Sequence, residues 1–341
     1  LVNIEQWRKH QLRIAFEIQA MAYSAIEHVV AFPFRKFGTI CMSPLRGVFP
    51  VVPTPFDAAL HPDLDSLRRA VRYGLACNVD GLTYPGVASE VGQLSLEERL
   101  QLTREVLKEV DDRVPVIVGA SHIDPARSVE IIQAAMAHGA QTFMVAGPSD
   151  RSDAAAQIAY FKTIRAGAPT ATIMVQNVPP PAGAGLAPEA LFEVLRATPS
   201  AAYVKEETIP SGQRLSMLRQ NAPEHLLGVF GGAGGRYITD ELRRGAAGTM
   251  PAIELAEIHV ALFNAHRAGD AKRVRQLFTR MLPILNVQAV FRWSLTKYVL
   301  KKRGIIVNDT QRAPGPRLDA MDQADVDAFL SDIDDLLIPF S

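Results

Sequence analysis

Lys205 closes an apolar run, Ala201-Ala202-Tyr203-Val204, whereas Lys108, Lys162, Lys272, Lys297, Lys301 and Lys302 fall on amphipathic stretches where a solvated helix face is natural. An amine withdrawn from water beside an apolar strand sheds its proton more readily than a solvated one and attacks carbonyl carbon. Schiff-base chemistry is therefore the first reaction this chain suggests. The neighbouring Glu206 and Glu207 leave a second reading open, an ion pair at a rim with no catalysis. Strand alternation turns Glu206 outward and Glu207 to the side of Lys205, where it is placed to tune the amine.

Other groups with chemical potential also sit just beyond apolar runs. Gln176 and Asn177 follow Thr172–Val175, and Gly86-Val87-Ala88-Ser89-Glu90 follows Gly81–Tyr84. Backbone N–H groups in a tight turn, here with the hydroxyl of Ser89, are the donors a small carboxylate needs. His122 follows a third run, placed either to face a pocket as acid or base or to cap the next helix. The run Gly231-Gly232-Ala233-Gly234-Gly235 suits phosphate or a close backbone approach to a substrate around Gly232. With no lysine or arginine inside the run and Arg236 opening the next helix, the close approach is the stronger reading.

Short apolar runs alternate with amphipathic stretches from Arg46 onward, the pattern of βα units on a parallel sheet. The predicted strands are Gly47–Val52, Gly81–Tyr84, Val114–Val118, Thr142–Val145, Thr172–Val175, Ala202–Lys205, Leu226–Phe230 and Gly248–Met250. Helices are predicted at Leu64–Cys77, Leu96–Val110, Pro125–His138, Ala154–Ala166, Pro188–Arg196, Gln213–Gln220, Tyr237–Arg244 and Ile253–Arg267. Ser95 and Asp124-Pro125 are helix starts, and Gly139 is a stop. Eight units in about 220 residues match a closed (β/α)8 TIM barrel, typically about 250 residues, whose active sites gather at the C-terminal ends of the strands. An open doubly wound sheet is disfavoured, because no Gly-x-Gly-x-x-Gly follows the first strand.

Helices Ala271–Leu285, Val287–Arg303 and Gln323–Leu337 form a C-terminal appendage over residues 269–341, beyond a barrel over residues 42–268. Residues 1–41 read as an N-terminal extension. Their amphipathic stretch, Ile4 to Val30, is expected to pack as a helix on the barrel or on a neighbouring subunit, or to lie upstream of a start at Met42, ahead of a targeting peptide, which Glu5, Glu17 and Glu27 argue against.

Composition narrows the function classes. Among 341 residues, 36 basic and 36 acidic side chains cancel, leaving no basic field for nucleic acid. No apolar run approaches the roughly 20 residues that cross a bilayer. Cys41 and Cys77 form neither a disulfide framework nor a zinc spacing, so no metal site is expected and a reducing, cytoplasmic setting is.

Four motifs occur in order at strand ends: Thr54-Pro55-Phe56, Gly86-x-x-x-Glu90 with Leu94-Ser95-x-Glu97-Glu98-Arg99, Asn177-Val178-Pro179, and Val204-Lys205-Glu206. Together, over about residues 46 to 300, they resemble the dihydrodipicolinate synthase and N-acetylneuraminate lyase family. The resemblance implies a (β/α)8 barrel with added C-terminal helices, assembled as a homotetramer. It also implies that Lys205 forms a covalent imine with a small 2-keto acid, without another cofactor, and that Glu90 is a structural anchor.

Departures from the family pattern bear on the reaction. Gln176 stands where the family carries a proton-shuttling tyrosine, and Pro181 where the synthase carries a carboxylate-gripping arginine. The Gly-Thr-Thr-Gly-Glu turn appears as Gly86-Val87-Ala88-Ser89-Glu90, and Ala146-Gly147-Pro148-Ser149 supplies no tyrosine after the fourth strand. An amide cannot act as acid or base, so retro-aldol cleavage lacks its usual base. Dehydration needs only a proton taken from an iminium-acidified C3 and a donor for the departing hydroxyl. The Gln-Asn-x-Pro variant is similar to 2-keto-3-deoxy-L-arabonate dehydratase-like members. A hydro-lyase acting on a 2-keto-3-deoxy sugar acid is expected, ahead of a pyruvate-dependent aldolase or synthase-like condensation, a non-catalytic keto-acid-binding barrel, and a phosphate-binding isomerase resting on the glycine run alone.

Overall fold

The computed structural model describes residues 44–340, so the extension expected over residues 1–41, with Cys41, lies outside the described residues. The chain runs β1 (Gly47–Val48), α1 (Leu64–Ala76), β2 (Leu82–Tyr84), α2 (Leu96–Val110), β3 (Val116–Gly119), α3 (Pro125–Met136), β4 (Thr142–Ala146) and α4 (Ala154–Gly167). It continues through β5 (Thr172–Asn177), α5 (Pro188–Ala197), β6 (Ala201–Glu206), α6 (Ser211–Asn221), β7 (Gly228–Gly231), α7 (Ile238–Arg243), β8 (Gly248–Thr249) and α8 (Ala256–Arg267). Adjacent strands pair in parallel in the order β1-β8-β7-β6-β5-β4-β3-β2. Val51 bridges both Thr83 and Ala252, and the Val52 N–H reaches the Thr83 carbonyl at 3.0 Å, which joins β1 to β2. The molecule is the expected (β/α)8 TIM barrel with C-terminal helices.

Proline shortens two of the strands. Pro50 interrupts the Gly47–Val52 run and Pro115 the Val114–Val118 run; proline has no N–H for a ladder. Helix starts follow local chemistry more closely. The Ser95 hydroxyl accepts from the Glu98 N–H while the Glu98 carboxylate accepts from the Ser95 N–H. Asp124 caps α3 through the Ala126 N–H, with Pro125 in the first turn.

Alternation divides the side chains of the strands between two cores. Phe49, Ile117, Met144, Met174, Tyr203 and Phe230 turn inward and fill the lumen, with Phe230 meeting Phe49 edge-on at 5.6 Å and Tyr203 at 6.0 Å. Val118, Phe143, Val145, Val175, Val204 and Val229 turn outward and bury against the helices. The lumen is thus packed below its C-terminal mouth. Two residues beyond Met174 and Tyr203, on the same inward face, come Gln176 and Lys205.

The appendage consists of α9 (Ala271–Phe291), α10 (Trp293–Lys302) and α11 (Ala320–Asp332). Its first break falls at Arg292, not near residue 286. Pro283 is carried inside α9, whose buried face of Leu277, Met281, Ile284 and Leu285 offsets the missing backbone bond. The last helix starts at Ala320, three residues earlier than expected, because Asp319 and Asp322 form a reciprocal cap. Lys297 corrects a second expectation. It is fully buried and not solvated, because it lies on the face of α10 turned to the barrel.

Candidate active site

Lys205 ends β6 at the mouth, 4% exposed. Its Nζ lies 3.4 Å from Glu207 Oε1. In the ladder Lys205 pairs with Gln176 on β5 and Phe230 on β7, which brings the next group in from the neighbouring strand. Gln176 Nε2 donates to Glu207 Oε2 at 2.7 Å, and the Ala233 N–H donates to Oε1 at 3.0 Å. Burial works against the Glu207 carboxylate. The Lys205 ammonium, the Ala233 N–H and the Gln176 amide outweigh it, and the carboxyl is held below its ordinary range. The ion pair considered as a rim contact thus exists inside the mouth, with Lys205 and Glu207 both lining a cavity of about 300 Å³.

The glycine run after β7 serves this carboxylate. A Cβ on Gly232 would fall 2.4 Å from Glu207 Oε1, so only glycine lets β7 pass so close. The expected close approach is therefore to Glu207, and Gly232 is not a cavity wall; Ala233 and Gly234 are.

Asn177 and Ser89, both expected at the substrate, are turned elsewhere. Asn177 alternates outward, where its amide donates to Glu206 at 2.9 Å and to the Leu186 carbonyl at 3.2 Å and accepts from the Leu186 N–H at 2.8 Å. It ties down the loop that leads into α5. Glu206 faces the same layer, accepting from the Thr208 N–H at 2.7 Å and lying 3.3 Å from Arg214 Nε. Burial pushes its carboxyl up, against these contacts. Ser89 is fully buried; its hydroxyl accepts from the Gly86 N–H at 2.9 Å and donates to the Val52 carbonyl. The hydroxyl closes the turn and is not offered to a ligand. Val87 and Ala88 do line the cavity, and as the first residues of a short 3-10 turn their N–H groups have no acceptor within it.

Glu90 anchors that turn from behind. Its carboxylate accepts from Lys297 Nζ and from the N–H groups of Arg312 at 2.7 Å and Ala313 at 2.6 Å. Lys297 and Arg312 lie 4.2 and 4.4 Å from the Phe56 ring centroid. Burial pulls the Lys297 amine down to about 8, even with Glu90 beside it.

A second cavity of about 600 Å³ adjoins the first, and Val87, Arg292 and Trp293 line both. Gln176, His122, Ala146 and Pro181 line the larger one, so three positions where the family pattern has tyrosine or arginine are walls of open space. His122 lines this cavity, and its Nδ1 accepts from the Asp124 N–H at 3.0 Å just before α3. Arg236, expected only to open the next helix, also lines the smaller cavity, and Arg292 and Trp293 join it from no strand end. Arg292 and Trp293 arrive from the α9–α10 corner, where Trp293 Nε1 donates to the Val87 carbonyl at 2.7 Å. In the sequence they fall inside the helix predicted over Val287–Arg303, with nothing to mark a corner.

Comparison with known proteins identifies the family. The model of the "Dihydrodipicolinate synthetase family" matches residues 44–333. The chain is 31% identical over 306 residues to L-2-keto-3-deoxyarabonate dehydratase of Azospirillum brasilense, spanning 86% of this chain and 96% of that one. It is 25% identical over 287 residues to the "Probable 2-dehydro-3-deoxy-D-pentonate aldolase YjhH" of Escherichia coli K12, spanning 83% and 95%. A crystal structure of dihydrodipicolinate synthase from Rhodopseudomonas palustris shares the fold with a TM-score of 0.79 at 24% identity, covering 84% of this chain and 97% of that one. One relative is thus named for elimination and another for aldol chemistry. On the strength of the match over residues 44–333 and of these relatives, the chain belongs to the dihydrodipicolinate synthetase family.

Proposed function

We propose that this chain is a Schiff-base lyase that removes water from a 2-keto-3-deoxy sugar acid. Lys205 Nζ attacks the C2 carbonyl, and the keto oxygen leaves as water to give an iminium. The iminium acidifies C3, and Glu207 takes a C3 proton while the electron pair enters the C2–C3 bond. The enamine then expels the C4 hydroxyl, which leaves as water with the proton returned from Glu207. Water hydrolyses the remaining iminium, freeing the unsaturated keto acid and the Lys205 amine. The N–H groups of Val87 and Ala88 receive the C1 carboxylate.

The observation that carries this reading is Glu207, ionised and 3.4 Å from Lys205 Nζ, with an amide at the position of the family tyrosine. An acid–base group close to the imine suits proton removal at C3. Aldol cleavage needs a base at the C4 hydroxyl, and Gln176 supplies none. The relative named as a dehydratase supports the same choice.

Borohydride reduction in the presence of pyruvate or a 2-keto-3-deoxy acid tests the imine, with a mass increment expected on the peptide containing Lys205. A Lys205→Ala variant that still turns over refutes the reading. Product analysis tests the subclass: a keto acid of unbroken carbon chain, lighter than the substrate by one water, is expected, and pyruvate plus an aldehyde would replace dehydration with cleavage.

A further inference from the structure

The cavity that holds Lys205 carries more positive charge than a simple sugar acid requires. Its ionisable walls are Lys205, Arg236 and Arg292 against Glu207 alone, three cations to one anion. Imine formation leaves that balance unchanged, because the iminium keeps the charge of the ammonium. Among the described residues neither guanidinium is in an ion pair, unlike Arg214, Arg303 and Arg312 nearby in the fold. Arg236 Nη1 donates to the neutral Gln288 Oε1 at 2.8 Å, and the Arg292 guanidinium lies 4.8 Å from the Trp293 ring centroid. Both are held by uncharged partners, which fix direction without cancelling charge.

The backbone at Arg292 points the same way. Its φ of 43° and ψ of −108° lie where a side-chain-bearing residue is strained, and the strain falls between α9 and α10, at the lip shared by both cavities. Glycine would relieve it at once. An arginine there places its guanidinium at the mouth.

We infer that Arg236 and Arg292 form a receptor for a second acid group, so that the substrate is a 2-keto acid carrying carboxylates at both ends. This rests on the imine reading above and narrows its substrate class. The C1 carboxylate takes the N–H groups of Val87 and Ala88, and the far carboxylate takes the two guanidinium groups through charge-assisted hydrogen bonds. A dianion balances the net charge of the walls; a monoanion leaves one cation unmatched in a cavity of about 300 Å³.

Saturated 2-hydroxy acids separate the two readings, because they cannot form an imine. Calorimetric titration of the whole chain with 2-hydroxyglutarate and with 2-hydroxyvalerate compares a diacid and a monoacid of equal length. The diacid is expected to bind at least about tenfold more tightly, equivalent to about 1.4 kcal/mol, with the ratio falling as salt is raised. Arg292→Gln and Arg236→Gln should each cut the ratio to below about threefold, and Arg292→Lys should restore part of it. Equal affinities in the unmodified chain, or a ratio that survives both Gln variants, overturn the inference. Parallel thermal melts identify a variant that has lost its fold, in which case the comparison in the unmodified chain and its salt dependence decide. Borohydride trapping of pyruvate reports on Lys205 alone, so failure there removes the imine reading and leaves the diacid ratio to be judged on its own result.

Discussion

Gln176 Nε2 stands 2.7 Å from Glu207 Oε2, the oxygen opposite the one that faces Lys205. The amide cannot move a proton, but it can fix the carboxylate proposed to do so. The loss of a tyrosine on β5 and the presence of a carboxylate two residues past the lysine on β6 are therefore parts of one arrangement, joined by a single hydrogen bond.

Glu207→Gln keeps the size of the side chain and removes its basicity. Turnover should fall roughly 10²- to 10⁴-fold, the range for loss of a general acid–base group. The borohydride-trapped adduct on Lys205 should persist, as read by intact mass. Loss of adduct and turnover together would assign Glu207 to the amine only.

Gln176→Leu removes one of the donors that hold the Glu207 carboxyl down. Its titration should move up, so the acidic limb of the kcat/KM profile should shift to higher pH, and the rate at neutral pH should fall about tenfold. An unmoved limb with the same fall in rate would mean that the amide acts only on substrate.

Lys297→Met should cost about 3–5 kcal/mol in urea unfolding, because it leaves the Glu90 carboxylate buried without its cation. Since Glu90 holds the Gly86–Glu90 turn, KM should rise by more than kcat falls. A loss below 1 kcal/mol, roughly the range of a solvated surface pair, would contradict the buried geometry.

Glu254 is buried outside the cavity, and burial raises its carboxyl to about 7 against hydrogen bonds from its own backbone and Thr296. A carboxyl raised in the folded state adds stability that is complete below the unfolded value near 4.5 and is lost as pH rises through about 7. Glu254→Gln should flatten that decline, recovering up to about 3 kcal/mol above pH 7. Denaturation midpoints between pH 5 and 9 check it. Part of the slope should remain, because Glu241, also raised to about 7 by burial, titrates in the same window.

The barrel was legible in the sequence because each strand is a short apolar run between amphipathic stretches, and Lys205 was legible because it breaks such a run. The turn of Glu207 towards Lys205 followed from period-two alternation past the end of β6, and Gln176 was marked by its place in the Gln-Asn-x-Pro motif. Asn177 and Ser89 were misplaced because motif position does not say where a side chain points. Asn177 is one residue out of phase with Gln176, and the Ser89 hydroxyl is consumed closing its own turn. Lys297 was read as solvated because a lysine on an amphipathic helix is normally so, and its burial depends on Glu90, 207 residues away. Arg292 and Trp293 were invisible for a similar reason, since a corner between two helices gains chemistry only when it folds back over strands far earlier in the chain.

Both ends of the Gly86–Glu90 turn are fastened to α10, the Val87 carbonyl by Trp293 and the Glu90 carboxylate by Lys297. Turn and helix are consequently one transplantable block, though more than 200 residues separate them in the chain. A chimera that imports the turn from another barrel must import α10 with it, or a lone carboxylate meets an apolar wall.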